Sequence, residues 1–180
     1  MNKNKSAIIY GVGLLISILI VYLVFFYEEE NIPFNKIEFV EGNNVLNREL
    51  PKYMDTIVLA GLRELDIENK IVVLKPIQVK KVGDIELEAY IVEQGSIYII
   101  FIKELSKSKS ISTIAHELIH LQQYIDDRIL IEGDTLIWDF NTIYSKSNLP
   151  EYMERPWEIE AYKISNTLEN KIETTLYEKE

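Results

Sequence analysis

No cysteine occurs in this chain of 180 residues, which excludes disulfide bridges and a lipid anchor attached through a cysteine thiol. That absence suits an extracytoplasmic domain and a reducing compartment equally, so it selects neither. Glycine is sparse, at seven residues, and none belongs to the clustered loop that wraps phosphate groups. Positive charge is outnumbered: 19 lysines and arginines face 29 aspartates and glutamates, for a formal net charge of −10. Such a surplus disfavours nucleic acid and anionic lipid surfaces as partners. No segment repeats and none is of low complexity. Histidine is confined to two residues, His116 and His120, which stand four apart with Glu117 between them in the string HELIH.

At the N-terminus, Lys3 and Lys5 precede an uncharged run from Ala7 to Tyr27, after which come Glu28, Glu29 and Glu30. About twenty apolar residues, rising about 1.5 Å each, cover a hydrocarbon core of about 30 Å. Only Ser17 and the tyrosines Tyr10, Tyr22 and Tyr27 interrupt this run. The sequence therefore predicts one transmembrane helix over 7–27, with residues 1–6 in the cytoplasm and the rest of the chain outside it. A cleaved secretory signal would end in a small-residue site, and Val21 to Glu30 offers none, so the helix is expected to remain as a signal anchor. Residues 28–34 read as a short linker, and 35–180 suffice for one domain with a single hydrophobic core. Without residues 1–27 the balance is 17 basic to 29 acidic residues, a net charge of −12.

The HELIH string is a coordination geometry if it is helical. Residues i and i+4 lie one turn apart on the same face, so the two imidazoles converge on one tetrahedral ion, with zinc–nitrogen bonds of about 2.0–2.1 Å. Glu117 projects beside the pair, where a carboxylate takes the proton of a metal-activated water attacking an amide carbonyl. The plainer alternative keeps the helix and removes the metal. In it Ser110 or Ser112 caps an amphipathic helix, Ile111, Ile114, Ala115 and Leu118 face the core, and the histidines are polar surface residues.

Along the soluble part, Ile37 to Val40 reads as a strand, followed by a loop at Gly42, Asn43 and Asn44. A helix is predicted from about Arg48 to Leu65, with Pro51 in its first turn and Met54, Ile57, Val58, Gly61 and Leu62 buried. The β-branched and aromatic runs Ile71 to Leu74, Ile85 to Val92 and Ile97 to Ile102 read as strands, the last two joined as a hairpin through Glu93 to Ser96. A polar loop from Ser106 to Ser110 leads into the HELIH helix, expected to reach about Tyr124. Arg128 to Ile131 and Thr135 to Asp139 flank a turn at Glu132, Gly133 and Asp134. Pro150 and Pro156 bracket the approach to a last helix that runs to about Tyr177.

Two histidines do not close a metal site, and no third is present, so the remaining ligand must be a carboxylate from another element. The stretch RPWEIEAY, Arg155 to Tyr162, offers Glu158 and Glu160. On a wheel of about 100° per residue, Trp157, Ala161, Ile164, Leu168 and Ile172 form the apolar stripe of this helix, and the two glutamates border it on opposite sides. The Glu158 flank carries Tyr162, Ser165 and Leu176, whereas the Glu160 flank carries Lys163, Thr167 and Lys171 and is the more solvated. The wheel leans toward Glu158 and leaves Glu160 as the alternative. Both also suit the N-terminal end of a helix simply as acidic residues in its dipole.

With these residues in place, the chain resembles the gluzincin group of metallopeptidases, in which HExxH on one helix is joined by a glutamate in ExxA or ExxAD on a later one. His116, Glu117 and His120 match HExxH; Glu158 and Ala161 match ExxA; Tyr162 stands where the longer form has aspartate. His120 to Gln123 is also similar to the HExxHxxQ variant of small bacterial and phage zincin-like proteins. The resemblance covers mainly residues 96–177. It implies an α+β, minimal zincin-like fold, with a small mixed sheet packed on the HExxH helix and a C-terminal ligand helix. It further implies Zn²⁺ held by His116, His120 and Glu158, with Glu117 as catalytic base. Ile97 to Ile102 would be the sheet edge that receives an extended polypeptide. The missing aspartate removes an outer partner of a ligand histidine. The residue that stabilises the oxyanion would be Tyr152 or Tyr162. The function so implied is a membrane-anchored, extracytoplasmic zinc metallopeptidase acting on envelope or membrane-proximal polypeptide. The alternatives are a zincin-fold module that binds zinc or a partner without hydrolysis, and a structural anchor domain whose histidines bind nothing.

Overall fold

The computed structural model describes residues 43–77, 80–82 and 84–178. The segment predicted to span a membrane, its flanking linker and the strand expected at Ile37 to Val40 lie outside the described residues. Among the described residues no helix is long and apolar enough to cross a membrane.

A four-stranded mixed sheet forms one layer of this α+β unit. Its strands are β1 (Asn44–Asn47), β2 (Ile71–Pro76), β5 (Ala89–Gln94) and β6 (Ile97–Ile102), in the order β1-β2-β6-β5. The first three in that order run parallel, and β5 returns antiparallel to β6 through a turn in which Gly95 takes a φ of 61°. A parallel pair needs a crossover, and helix α1 (Tyr53–Glu64) supplies it between β1 and β2. Two further strands, β3 (Lys81–Val82) and β4 (Ile85–Glu86), make a short hairpin before β5.

Ile97–Ile102 is therefore an interior strand and not the expected edge. Its run IYIIFI is apolar on both faces and nearly all buried, which is what a strand flanked on both sides and covered on both faces requires. The free edge beside it is β5, whose sequence AYIVEQ alternates between buried and half-buried residues before ending polar. The single strand expected over Ile85 to Val92 is broken at Leu87 and Glu88 into β4 and β5.

Helix α1 starts at Tyr53, five residues later than its apolar spacing suggests. The Asn47 side chain closes a turn first: its Oδ1 accepts from the Leu50 amide at 2.9 Å, and its Nδ2 donates to the Leu50 carbonyl and to Asp55. Pro51 thus precedes the helix, and Asn44 opens a strand where a loop was expected. Met54, Ile57, Val58, Gly61 and Leu62 are buried as the helical spacing requires.

Helices α2 (Lys107–Ile125) and α3 (Pro156–Tyr177) complete the core. Ile111, Ile114, Ala115 and Leu118 of α2 meet Ala161, Leu168 and Ile172 of α3 and the apolar face of α1. A separate three-stranded antiparallel sheet, β7 (Ile129–Glu132), β8 (Thr135–Trp138) and β9 (Thr142–Ser145), packs Ile129, Leu136 and Trp138 around Trp157. Its first two strands match the expected hairpin. The third turns only Tyr144 inward, with Ile143 exposed, and was not legible as a strand. By packing on Trp157, this sheet holds the first turn of α3 in place.

Candidate metal centre

The α2 helix begins one residue after Ser106, whose side chain accepts from the Lys109 amide, so neither Ser110 nor Ser112 is the cap. From there the helix runs unbroken through HELIH and carries His116 and His120 on one face. These are not surface residues: His116 is 9% exposed and His120 6%. On α3, Pro156 occupies the first turn, Trp157 is buried, and Glu158, also 6% exposed, turns toward the same point.

His116 Nε2 lies 3.1 Å from His120 Nε2 and 3.2 Å from Glu158 Oε2, which is 3.3 Å from His120 Nε2. Among the described residues this is the one cluster of three such side chains able to hold a metal ion. A tetrahedral ion with bonds of about 2.0–2.1 Å spaces its ligand atoms about 3.3–3.4 Å apart, so the three atoms fit three corners of such a site. Two imidazoles and one carboxylate, each buried, are a donor set that zinc accepts and that leaves a fourth position for water or substrate.

Electrostatics bind the trio together. Burial raises the Glu158 carboxyl, but hydrogen bonds from His116 and His120 and their charges outweigh it and hold it down at about 2. Burial pulls His120 down, and the hydrogen bond to Glu158, the charges of Glu117 and Glu158 and the bond to Gln123 push it up to about 8.

Glu160 does not join the cluster. Two residues beyond Glu158, it points about 200° further round the helix and accepts Arg128 Nη1 at 2.9 Å on both oxygens. It also accepts Gln123 Nε2 at 2.8 Å. Gln123, fully buried, is the residue whose part sequence reasoning missed. Its Oε1 accepts from His120 Nδ1 at 2.8 Å, and its Nε2 donates to the Trp157 carbonyl at 3.1 Å. With the proton on Nδ1, the Nε2 lone pair of His120 faces the site. Gln123 thus does for His120 what the absent aspartate would do for a ligand histidine. The signal was its i+3 spacing from His120, which puts both on one face.

Glu117 stands beside the trio, 5% exposed, and accepts the backbone N–H of Ile91 on β5. Its Oε2 is buried without a partner. Burial and the Glu158 charge raise its carboxyl above the usual carboxylate range against the pull of the two histidines, which makes it the more basic. Tyr152 hydrogen-bonds to Glu158, and burial followed by the Glu158 charge drives its phenol upward. Tyr162 lies on His116, with ring centroids 4.4 Å apart. A cavity of about 420 Å³ opens on His116, Glu117, Tyr152 and Tyr162, and a smaller one of about 180 Å³ reaches Glu117, His120 and Glu158 past Tyr90, Tyr124 and Trp157.

No family model, curated protein or solved structure matches the chain. The buried His116, His120 and Glu158 cluster, carried by α2 and α3, can hold a metal ion.

Proposed function

We propose that the chain is a zinc-dependent metallopeptidase that hydrolyses peptide bonds, as its similarity to the HExxH and ExxA motifs of gluzincins suggests. The observation that carries this reading is the buried, unpartnered Oε2 of Glu117 beside three ligand atoms at tetrahedral separations. Zinc bound by His116, His120 and Glu158 would polarise the scissile carbonyl and acidify a water. Glu117 is then the base: it takes the proton of the attacking water and gives it to the leaving nitrogen, so that one water is consumed for each amide bond broken.

Substrate alignment falls to the free edge of β5. The Ile91 N–H points to Glu117 and the Lys103 N–H binds the Glu88 carbonyl, so Ala89, Ile91 and Glu93 are the residues that turn their backbone groups away from β6. An extended polypeptide adding to this edge brings an amide carbonyl over the site. Residues 7–27 would anchor the protein in the membrane with residues 35–180 outside the cytoplasm, and the short linker favours membrane-proximal or cell-envelope polypeptides.

Replacing Glu117 by Gln tests the reading. Zinc should remain bound and peptide hydrolysis should be lost; full activity in Glu117→Gln refutes the mechanism. A second reading, a zinc-binding or partner-binding module without hydrolysis, is favoured by the engagement of the Tyr152 phenol with Glu158, which leaves it no free proton for an oxyanion. Stoichiometric zinc without cleavage of a broad peptide library would select it.

A further inference from the structure

The larger of the two cavities beside Glu117 has walls of one charge sign. Glu86 and Glu88 line it from β4 and the turn before β5, Glu169 from α3, and Glu117 at the metal centre. No lysine or arginine is among its lining residues. Glu86 meets Lys103 at 2.5 Å and Glu88 meets Lys109, so each of these two carboxylates is offset by a lysine and Glu169 is the wall carboxylate left over. Among the described residues no ion pair reaches Glu169, and burial and the neighbouring Glu173 carboxylate raise its pKa. At the inner end, Glu117 Oε2 is buried without a hydrogen-bond partner. A cavity that opens on the metal centre and is lined by carboxylates, with Glu169 outside any ion pair among the described residues, suits a cation on a long stem.

We propose that this cavity is the subsite that receives a lysine or arginine side chain of the substrate polypeptide next to the scissile bond, with Glu169 as its counter-charge. The inference rests on the peptidase reading of the metal centre. At about 420 Å³ the cavity is within the usual size of ligand pockets, about 300–1,000 Å³, and accepts the longest side chains. The methylene stem lies against Leu87 and the Tyr162 ring while the charged head reaches Glu169. Ser112 and Asn166 add polar groups beside it. A neutral side chain there leaves Glu169 unpaired, and an acidic one is repelled, so selection works by rejection as well as by attraction. The smaller cavity on the His120 side, walled by Tyr90, Tyr124 and Trp157, has no comparable acidic wall and makes the cleft asymmetric.

The test uses the full zinc-loaded chain and peptides that differ only at the two residues flanking the cleaved bond, which carry lysine, arginine, leucine or glutamate in turn. At one flank, lysine and arginine should exceed leucine in kcat/KM by about tenfold or more, with glutamate slowest. Glu169→Gln should collapse the lysine-to-leucine ratio toward one, and Glu169→Lys should put glutamate peptides ahead of lysine peptides. Cleavage with no basic preference at either flank, or a ranking that both variants leave unchanged, overturns the subsite and leaves the peptidase reading standing. A zinc-loaded chain that cleaves none of the peptides overturns both.

Discussion

His120 Nδ1 and Gln123 Oε1 stand 2.8 Å apart inside the core, one turn of α2 uniting a ligand imidazole with the amide that orients it. The same amide reaches the Trp157 carbonyl and Glu160 on α3, and Glu160 in turn holds Arg128. One side chain therefore ties the two helices that carry the metal ligands. Replacing Gln123 by Leu should lower zinc affinity by about 10- to 100-fold, because the imidazole loses its fixed tautomer and orientation. Competition with a chromophoric chelator measures this, and unchanged affinity would remove Gln123 from the centre.

Glu158 and Glu160 should separate cleanly. Elemental analysis of Glu158→Ala should find the bound zinc lost, whereas Glu160→Ala should keep about one zinc per chain. The second variant also frees Gln123 on one side, so its affinity should fall by less than that of Gln123→Leu. Zinc lost from Glu160→Ala and kept in Glu158→Ala would reverse the assignment.

Zinc uptake should depend on pH with a definite sign. In the metal-free protein His120 keeps its proton up to about 8, whereas Glu158, held at about 2, is already ionised. A ligand imidazole must be neutral at the coordinating nitrogen, so below about pH 8 zinc displaces a proton and its apparent affinity falls by up to about tenfold per pH unit. Above that point the His120 contribution levels off. Chelator competition between about pH 6 and 9 reads the slope; an affinity flat across that range would show that His120 is already neutral in the metal-free protein and that Glu158 and Glu117 do not hold its proton there.

Gly61 on α1 faces Leu118 of α2 and Ile172 of α3. A Cβ at this position would collide with the Leu118 side chain and press Ile172, both in the buried core. Gly61→Ala should therefore destabilise the protein by about 1–3 kcal/mol despite the better helix propensity of alanine. Urea unfolding at constant metal loading measures it, and a stabilised variant would contradict the packing.

What could be read along the chain was what local geometry decides. The i to i+4 spacing puts His116 and His120 on one helical face whatever surrounds them, and the β-branched runs at Ile71 and Ile97 form strands because their side chains suit a pleated, buried surface. Pro156 marked the start of α3 for the same local reason. Errors came where a specific partner overrode the periodic pattern: the Asn47 side chain delayed α1 by tying Leu50 and Asp55, and β9 formed by pairing with β8.

The sequence by itself determined that two imidazoles and a glutamate share one turn of helix and that a carboxylate must complete any metal site they form. Only the tertiary structure decided which carboxylate it is, that β5 and not β6 is the open edge, and that Gln123 orients His120. The physical reason is range. Helical periodicity acts over a few residues, whereas the meeting of Glu158 with His116, 42 positions apart, depends on how Trp157 docks against the β7–β9 sheet and how closely α3 packs on α2.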